Sequence, residues 1–475
     1  MRISRRAFLG GLCPAAGGLL APLHALGESR PNLRLGVVSD VHIGAKEAEQ
    51  GTDTEVVLEK ALRWFDAQGV DAVAVPGDIA HSGKIEELER FAAIWSQVFH
   101  GDRRSDGCVV EKLFVTGNHD LAAFWVKGDD EYLSRVLFAH KDNPGKVWNR
   151  LFNEEFLSIW KKEVKGYTFV GSQWPTGTDD PPVEAWFREH AEELHGSKPF
   201  FYLQHAHPKG TCGDGKTSSD DGRSTRALAA FGNAVAITGH SHQTLTDESS
   251  VWQGSFTSVN AGCLRGGENS RSRSVYDSSF PIWHRSWAQN RMMPLDTLEG
   301  GGCLLIDVFD AYLRVGRHSL FYDRPLGDDW VIALPARSGG RFDNACQRAA
   351  SVGPAFPPDA QLEATVCRVA PQAIAGLALR GKPCVWLKIP HPQTVRPGSR
   401  VYDFEIDVWA NGRQTLKRTV LANGFNVPES KSDRLSHCLF GIEELPLGEI
   451  RFVVRPRNSF GVAGQPIDLT FQLRS

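Results

Sequence analysis

The chain has no apolar run of the roughly 18 residues that a membrane-spanning helix requires, which excludes a multi-pass helical membrane protein. It has no CxxC pair: its nine cysteines are scattered, so neither a zinc knuckle nor a thioredoxin-like motif is present. It has no excess of one charge. With 53 Lys and Arg against 56 Asp and Glu, the net charge is −3, and no overall basic field draws nucleic acid or anionic membrane. There is no internal repeat, and no acidic stretch has the spacing of a calcium loop. What remains is globular: 41% hydrophobic and 23% charged residues exclude a wholly disordered chain, and 475 residues suit two domains.

The N-terminus reads Met1-Arg2-Ile3-Ser4-Arg5-Arg6-Ala7-Phe8-Leu9-Gly10, and a weakly apolar stretch rich in Gly, Ala and Leu continues to about Leu26. A positive head, a short apolar middle and a small-residue exit describe an export signal. The paired arginines before Phe8-Leu9 resemble a twin-arginine signal. Pro14 and Pro22 argue against a stable first helix, and Cys13 follows Leu12, which argues against a lipid anchor. Residues 1–27 are therefore expected to be a signal, with the rest periplasmic or extracellular. The eight cysteines after Cys13 are an even set that an oxidising compartment would let pair. Twin-arginine cargo folds before export, however, so the even count alone assigns no disulfide.

The remainder has two rhythms. Up to about residue 336, short apolar runs alternate with helical patterns. Leu33–Ser39, Val70–Val75, Lys112–Thr116, Phe200–Gln204 and Ala234–Thr238 read as strands. Ile85, Leu88, Phe91, Ala92, Trp95, Val98 and Phe99 place one apolar stripe on a helix. Strand, helix, strand in sequence argues an α/β layered domain over residues 28–336. From residue 337 the period becomes two: Tyr402, Phe404, Ile406 and Val408 alternate with Asp403, Glu405 and Asp407, and Ile467, Leu469, Phe471 and Leu473 alternate with polar residues. Asn411-Gly412 and Asn423-Gly424 are turn signals. Residues 337–475 are expected to be a smaller all-β sandwich. Within it, Arg455 to Gly464 resembles the late strand and turn of fibronectin type III-like modules. The acidic Asp403-Glu405-Asp407 ladder reads as a solvated sheet face, and Arg337 to Asp343 as the linker.

Each of the five α/β strands runs directly into metal-ligand residue types. They are Ser39-Asp40-Val41-His42, Pro76-Gly77-Asp78, Thr116-Gly117-Asn118-His119-Asp120, Gln204-His205-Ala206-His207 and Gly239-His240-Ser241-His242. In open α/β sheets the ligand crevice lies beyond the carboxyl ends of the strands, so these side chains can converge. The order D-x-H, GD, GNHD, H, GHxH resembles the calcineurin-like metallophosphoesterase family over residues 33–242. That resemblance implies a β-sandwich flanked by helices and two divalent ions. Asp40, His42, Asp78 and His242 would hold one, and Asp78, Asn118, His205 and His240 the other. Imidazoles and carboxylates without thiolates suit Mn, Fe or Zn, and a carboxylate such as Asp78 serves best as the bridge.

The expected reaction is hydrolysis of a phosphomonoester or phosphodiester by a metal-bound hydroxide. A poor alkoxide leaving group calls for an acid, and in this family the histidine matching His119 is a proposed one. His207 is the alternative to His205 as ligand, or a substrate contact, because alternation puts both on one face. His81, where purple acid phosphatases carry a tyrosine, is a second candidate for substrate contact. Asp120 reads as a cap for the adjoining downstream segment. Lys216, Arg223, Arg226, Arg265, Arg271 and Arg273 lie in Gly/Ser-rich stretches able to border a pocket, and Trp283, His284 and Trp287 either wall the cleft or fill core. The expected partner is a phosphorylated small molecule or diester. A non-catalytic surface binding protein, and a nucleotidase or pyrophosphatase, are the competing readings.

Overall fold

A computed structural model describes residues 30–44, 54–120, 144–174, 182–213, 220–264, 301–367 and 383–474. The expected signal lies outside these residues, as do Lys216, Arg265, Arg271, Arg273, Trp283, His284 and Trp287. Among the described residues, no helix is long and apolar enough to cross a membrane.

The chain opens with β1 (Leu33–Val37), α1 (Thr54–Gln68), β2 (Ala72–Pro76), α2 (Ile85–Val98) and β3 (Glu111–Val115). A helix over Pro144–Phe152 leads to β4 (Ile159–Val164), β5 (Tyr167–Ser172), β6 (Phe200–Leu203), β7 (Ala234–Thr238), β8 (Val251–Gln253) and β9 (Thr257–Asn260). Then come β10 (Gly302–Phe309), β11 (Tyr312–Ser319), β12 (Arg324–Pro325) and β13 (Trp330–Ala333). One sheet runs β12-β11-β10-β1-β2-β3, with β13 also on β11; the other runs β4-β5-β6-β7-β9-β8. β1, β2 and β3 are mutually parallel, as are β5, β6, β7 and β9.

The two sheets pack face to face, and strand alternation decides what each face meets. Leu33, Leu35, Val37, Ala72, Ala74, Leu113 and Val115 point between the sheets, against Phe169, Phe201, Leu203, Val235 and Ile237. Val73, Val75 and Phe114 point the other way, onto Leu58, Leu62 and Phe65 of α1 and Leu88, Phe91 and Trp95 of α2. On the far side of the second sheet, Val170, Tyr202 and Ala236 meet Trp186 and Phe187. Both faces of every site-bearing strand are covered, which is why these strands read as unbroken apolar runs.

The C-terminal part is all-antiparallel: β14 (Glu363–Cys367), β15 (Cys384–Ile389), β16 (Asp403–Ala410), β17 (Arg413–Leu421), β18 (Ser436–Gly441), β19 (Gly448–Arg457) and β20 (Ile467–Leu473). Sheets β14-β15-β18 and β17-β16-β19-β20 enclose a core that includes Leu387, Phe404, Ile406, Val408, Phe440 and Phe452. Two expectations are corrected here. Arg337–Asp343 is no loose linker: Phe342 is 3% exposed in the inter-sheet core and its carbonyl accepts from the Gln253 backbone N–H. A phenylalanine in so polar a stretch gains most by burial. The acidic ladder of β16 is not simply solvated either. Asp403 and Glu405 face Arg457 and Arg455 across the ladder and pair with them at 2.8 Å, with Lys417 on Glu405 from the other side.

The sandwich touches the first domain just past the last site strand. The Thr246 hydroxyl donates to the Phe425 carbonyl at 2.5 Å, and the Ser459 hydroxyl donates to Asp247 at 2.8 Å.

Phe201 is fully buried and stacks on Phe169 with ring centroids 4.8 Å apart at the centre of the inter-sheet core. Phe201→Ala is expected to lower the unfolding free energy by about 3–5 kcal/mol, read as a fall in the urea midpoint with an unchanged slope.

Candidate metal centre

The motif residues sit in the first turns beyond the strand ends, and the backbone there is unusual. Asp40, His42, Asp78, His240 and His242 all have φ between 50° and 66°, the left-handed region that costs a residue with a side chain about 1 kcal/mol or more. Such turns fold a side chain back over the end of its own strand. Close approach of the loops also demands glycine: a β-carbon on Gly117 would overlap the Asp78 carboxylate, and one on Gly239 would overlap Ser39 and Asp40.

Two sheets contribute, and their strand ends meet. Asp40, His42, Asp78 and His242 bring four ligand atoms within 4.8 Å of one another, all four residues being buried. His42 Nε2 lies 3.3 Å from His242 Nε2, and His242 Nε2 lies 2.8 Å from Asp40 Oδ1. Beside them stands a second group. His205 Nε2 is 3.1 Å from Asn118 Oδ1, 3.2 Å from His240 Nδ1 and 3.2 Å from Asp78 Oδ2. The same Asp78 oxygen is 3.7 Å from His42 Nε2, so one carboxylate faces both groups. Its other oxygen accepts the His119 backbone N–H at 2.8 Å.

Electrostatics are set by placing so many ionisable groups out of water. Burial holds His42 well below its usual value, with Asp78 only partly opposing it. Burial and the neighbouring His205 push His240 down to about 3. Both are therefore neutral and offer lone pairs at pH 7. Burial also disfavours charge on His205, but the Asp78 carboxylate overrides it and pushes the group up to about 9. His242 is likewise raised against its burial, with Cys263 and Asp40 beside it. Asp78 is held well below the carboxylate range despite burial, chiefly by His205. The donor chemistry fits two divalent cations: four imidazoles, one amide oxygen and two carboxylates, one of them shared.

His119 is partly exposed, and its ring lies edge-on to His42 with centroids 4.6 Å apart. Its Nδ1 is 2.7 Å from the His81 carbonyl, which can only accept, so Nδ1 carries the proton. His81 stacks on His119 with centroids 5.3 Å apart, and His42, His81 and His119 themselves form a group of convergent nitrogens. His207 belongs to neither group of convergent ligands. It is fully buried, which pushes it down to about 4. Arg226 pairs with Glu184, and Arg223 with Asp221.

The downstream segment that Asp120 is expected to cap lies outside the described residues, and the bonds seen run to earlier backbone. Asp120 is 1% exposed and accepts from the backbone N–H groups of Ile79, Ala80 and Gly117, clipping the Asp78 turn to the Asn118 turn. Burial and the Asp78 charge raise it to about 7. Two further residues escape sequence reasoning. The Asn260 amide donates to the Gly239 carbonyl and the Ser241 hydroxyl, and the Cys263 thiol donates to the Asp40 carbonyl. Neither belongs to a motif. Trp174 walls the second group, 5.4 Å from the His240 ring and 5.7 Å from that of His205.

Residues 33–244 match the family model described as Calcineurin-like phosphoesterase. This segment is a calcineurin-like phosphoesterase domain, and with its donor set it defines a metal-dependent phosphoester hydrolase. No curated protein matches the chain. Among solved structures, a dimetal phosphatase from Danio rerio is 11% identical with a TM-score of 0.39, covering 64% of this chain and 99% of its own. A purple acid phosphatase from seeds of yellow lupin (Lupinus luteus) is 10% identical with a TM-score of 0.40, covering 65% and 55%. A Vps29 single mutant from Entamoeba histolytica is 11% identical with a TM-score of 0.28, covering 63% and 99%.

Metal uptake must displace the protons that His205 and His242 hold in the metal-free protein. Calorimetric titration with Zn or Mn at pH 7, in buffers of different ionisation enthalpy, is expected to show release of about two protons per chain. His205→Ala is expected to remove about one of them.

Proposed function

We propose that the protein is exported and that this centre hydrolyses a phosphomonoester or phosphodiester. The observation that carries the reading is the Asp78 carboxylate, with one oxygen 3.7 Å from His42 and 3.2 Å from His205, a member of each donor group. Asp40, His42, Asp78 and His242 would hold one divalent ion, and Asp78, Asn118, His205 and His240 the other. Mn, Fe and Zn suit these ligands. Such ions, when bound, would supply charge to neutralise phosphoryl oxygens and an activated water for hydrolysis.

The chain's own residues do the rest. Asn118 supplies an oxygen without a charge, which keeps the site from repelling an anionic ester. His119, its Nδ1–H spent on the His81 carbonyl, has Nε2 left to pass a proton to the leaving oxygen. His81, half-buried and stacked on His119, is assigned to a non-bridging phosphoryl oxygen. Trp174 borders the opposite side and excludes water from the His205 and His240 end.

Chelator-stripped signal-free protein, given back Mn, Zn, Fe, Co or Mg, is expected to regain turnover of a chromogenic monoester or diester. Asp78→Asn is expected to abolish the restored activity. His119→Ala is expected to lower kcat about 10²–10⁴-fold, with a larger loss for alkyl than for nitrophenyl leaving groups. His81→Ala is expected to raise KM more than it lowers kcat. Two ions bound per chain without turnover of any ester would overturn the hydrolase reading, and no metal binding would overturn the site itself.

A further inference from the structure

We propose that Cys367 and Cys384 form a disulfide site that fastens the outer strand of the C-terminal sandwich. The two residues are the last pair in the antiparallel register of β14 and β15. Their sulfurs are 3.2 Å apart. Directly opposed residues on antiparallel strands have Cα atoms about 4.5–5.5 Å apart, inside the range a disulfide spans without moving the backbone.

The surroundings suit a bond rather than a coincidental meeting of thiols. Among the described residues, strand β14 is the edge of a three-stranded sheet and pairs only with β15 in it. Its side chains are mostly outward, and Val366 is 53% exposed. An edge strand of five residues with so little buried surface has few contacts to hold it. Cys384 is fully buried in the sandwich core, so a bond to it anchors the end of β14 to the best-packed part of the domain. Cys438 shares that core, but its cross-strand partner on β15 is Leu387.

The chemistry is thiol–disulfide exchange with a low-molecular-weight disulfide as oxidant. Cys367 is half-buried and reachable; burial, with the Cys367 thiol beside it, pushes Cys384 up to about 12. Cys367 therefore begins, its thiolate attacking the external disulfide and releasing one thiol. The Cys384 sulfur then attacks Cys367 and releases the second. Two protein S–H bonds and one external S–S bond are exchanged for one protein S–S bond and two external thiols. Any compartment that supplies such a disulfide closes the pair, whatever ester the first domain takes.

The test uses the full chain, reduced and then equilibrated with oxidised glutathione under native conditions. Thiols counted after unfolding are expected to fall by two from the nine of the chain. Proteolysis without reductant is expected to yield a Cys367 peptide linked to a Cys384 peptide. The oxidised protein is expected to melt several degrees above the reduced one, and Cys367→Ser, at the half-exposed position, is expected to abolish both the linked peptide and the shift. A full complement of thiols after oxidation, or linkage of Cys384 to Cys438 instead, would overturn the site. A linked pair with no gain in Tm would overturn its fastening role.

Discussion

The carboxylate of Asp78 is the point on which the first domain's architecture depends. It is 1% exposed, and a lone buried carboxylate is strongly unfavourable. Its charge is sustained by His205 and His42, one from each donor group, and by the His119 backbone N–H. Those partners come from the ends of β1, β3 and β6, two of them in one sheet and the third in the other. Satisfying this one group therefore requires the strands of the two face-packed sheets to bring their carboxyl ends together. The left-handed turns at five of the motif residues are the local cost of that convergence, and Asp120 offsets part of it by bonding three backbone amides.

The second domain has a mechanical relation to the same centre. The segment Gln243 to Asp247 comes directly after His242 and is entirely buried. Thr246 and Asp247 within it are the residues bonded to Phe425 and Ser459 of the sandwich. From the other side Asn260 grips Gly239 and Ser241. The His240-Ser241-His242 turn is thus fixed from both directions, which holds strained backbone in place in the way pre-organised sites require. A sandwich in this position serves as a brace, independent of any ligand of its own.

Much of this is legible in the sequence because the physical signals are local. Strands covered on both faces leave apolar runs, and the five runs end within two residues of the observed strand ends. Left-handed turns and close loop approach leave Gly77, Gly117 and Gly239 beside the ligand types. The illegible part depends on partners far away in the chain. The assignment of β1, β2 and β3 to one sheet and β6 and β7 to the other rests on long-range pairing. The hairpin of β10 and β11, which extends the first sheet through β1, escapes a local reading for the same reason. His205 is favoured over His207 by its place directly at the strand end; both are fully buried, and what marks His205 is its contact with Asp78, Asn118 and His240. The role of Asp120 is hidden because its partners, Ile79 and Ala80, lie some forty residues earlier and present only backbone.

The shared carboxylate gives the central claim a direct spectroscopic signature. Protein loaded with Mn(II) and examined by electron paramagnetic resonance at low temperature reads whether two ions are bridged. A spin-coupled spectrum at two Mn per chain, collapsing to the six lines of an isolated ion in Asp78→Ala, is the result expected of a pair joined through Asp78. A six-line spectrum from the wild-type protein at saturation, with one Mn per chain, would contradict it.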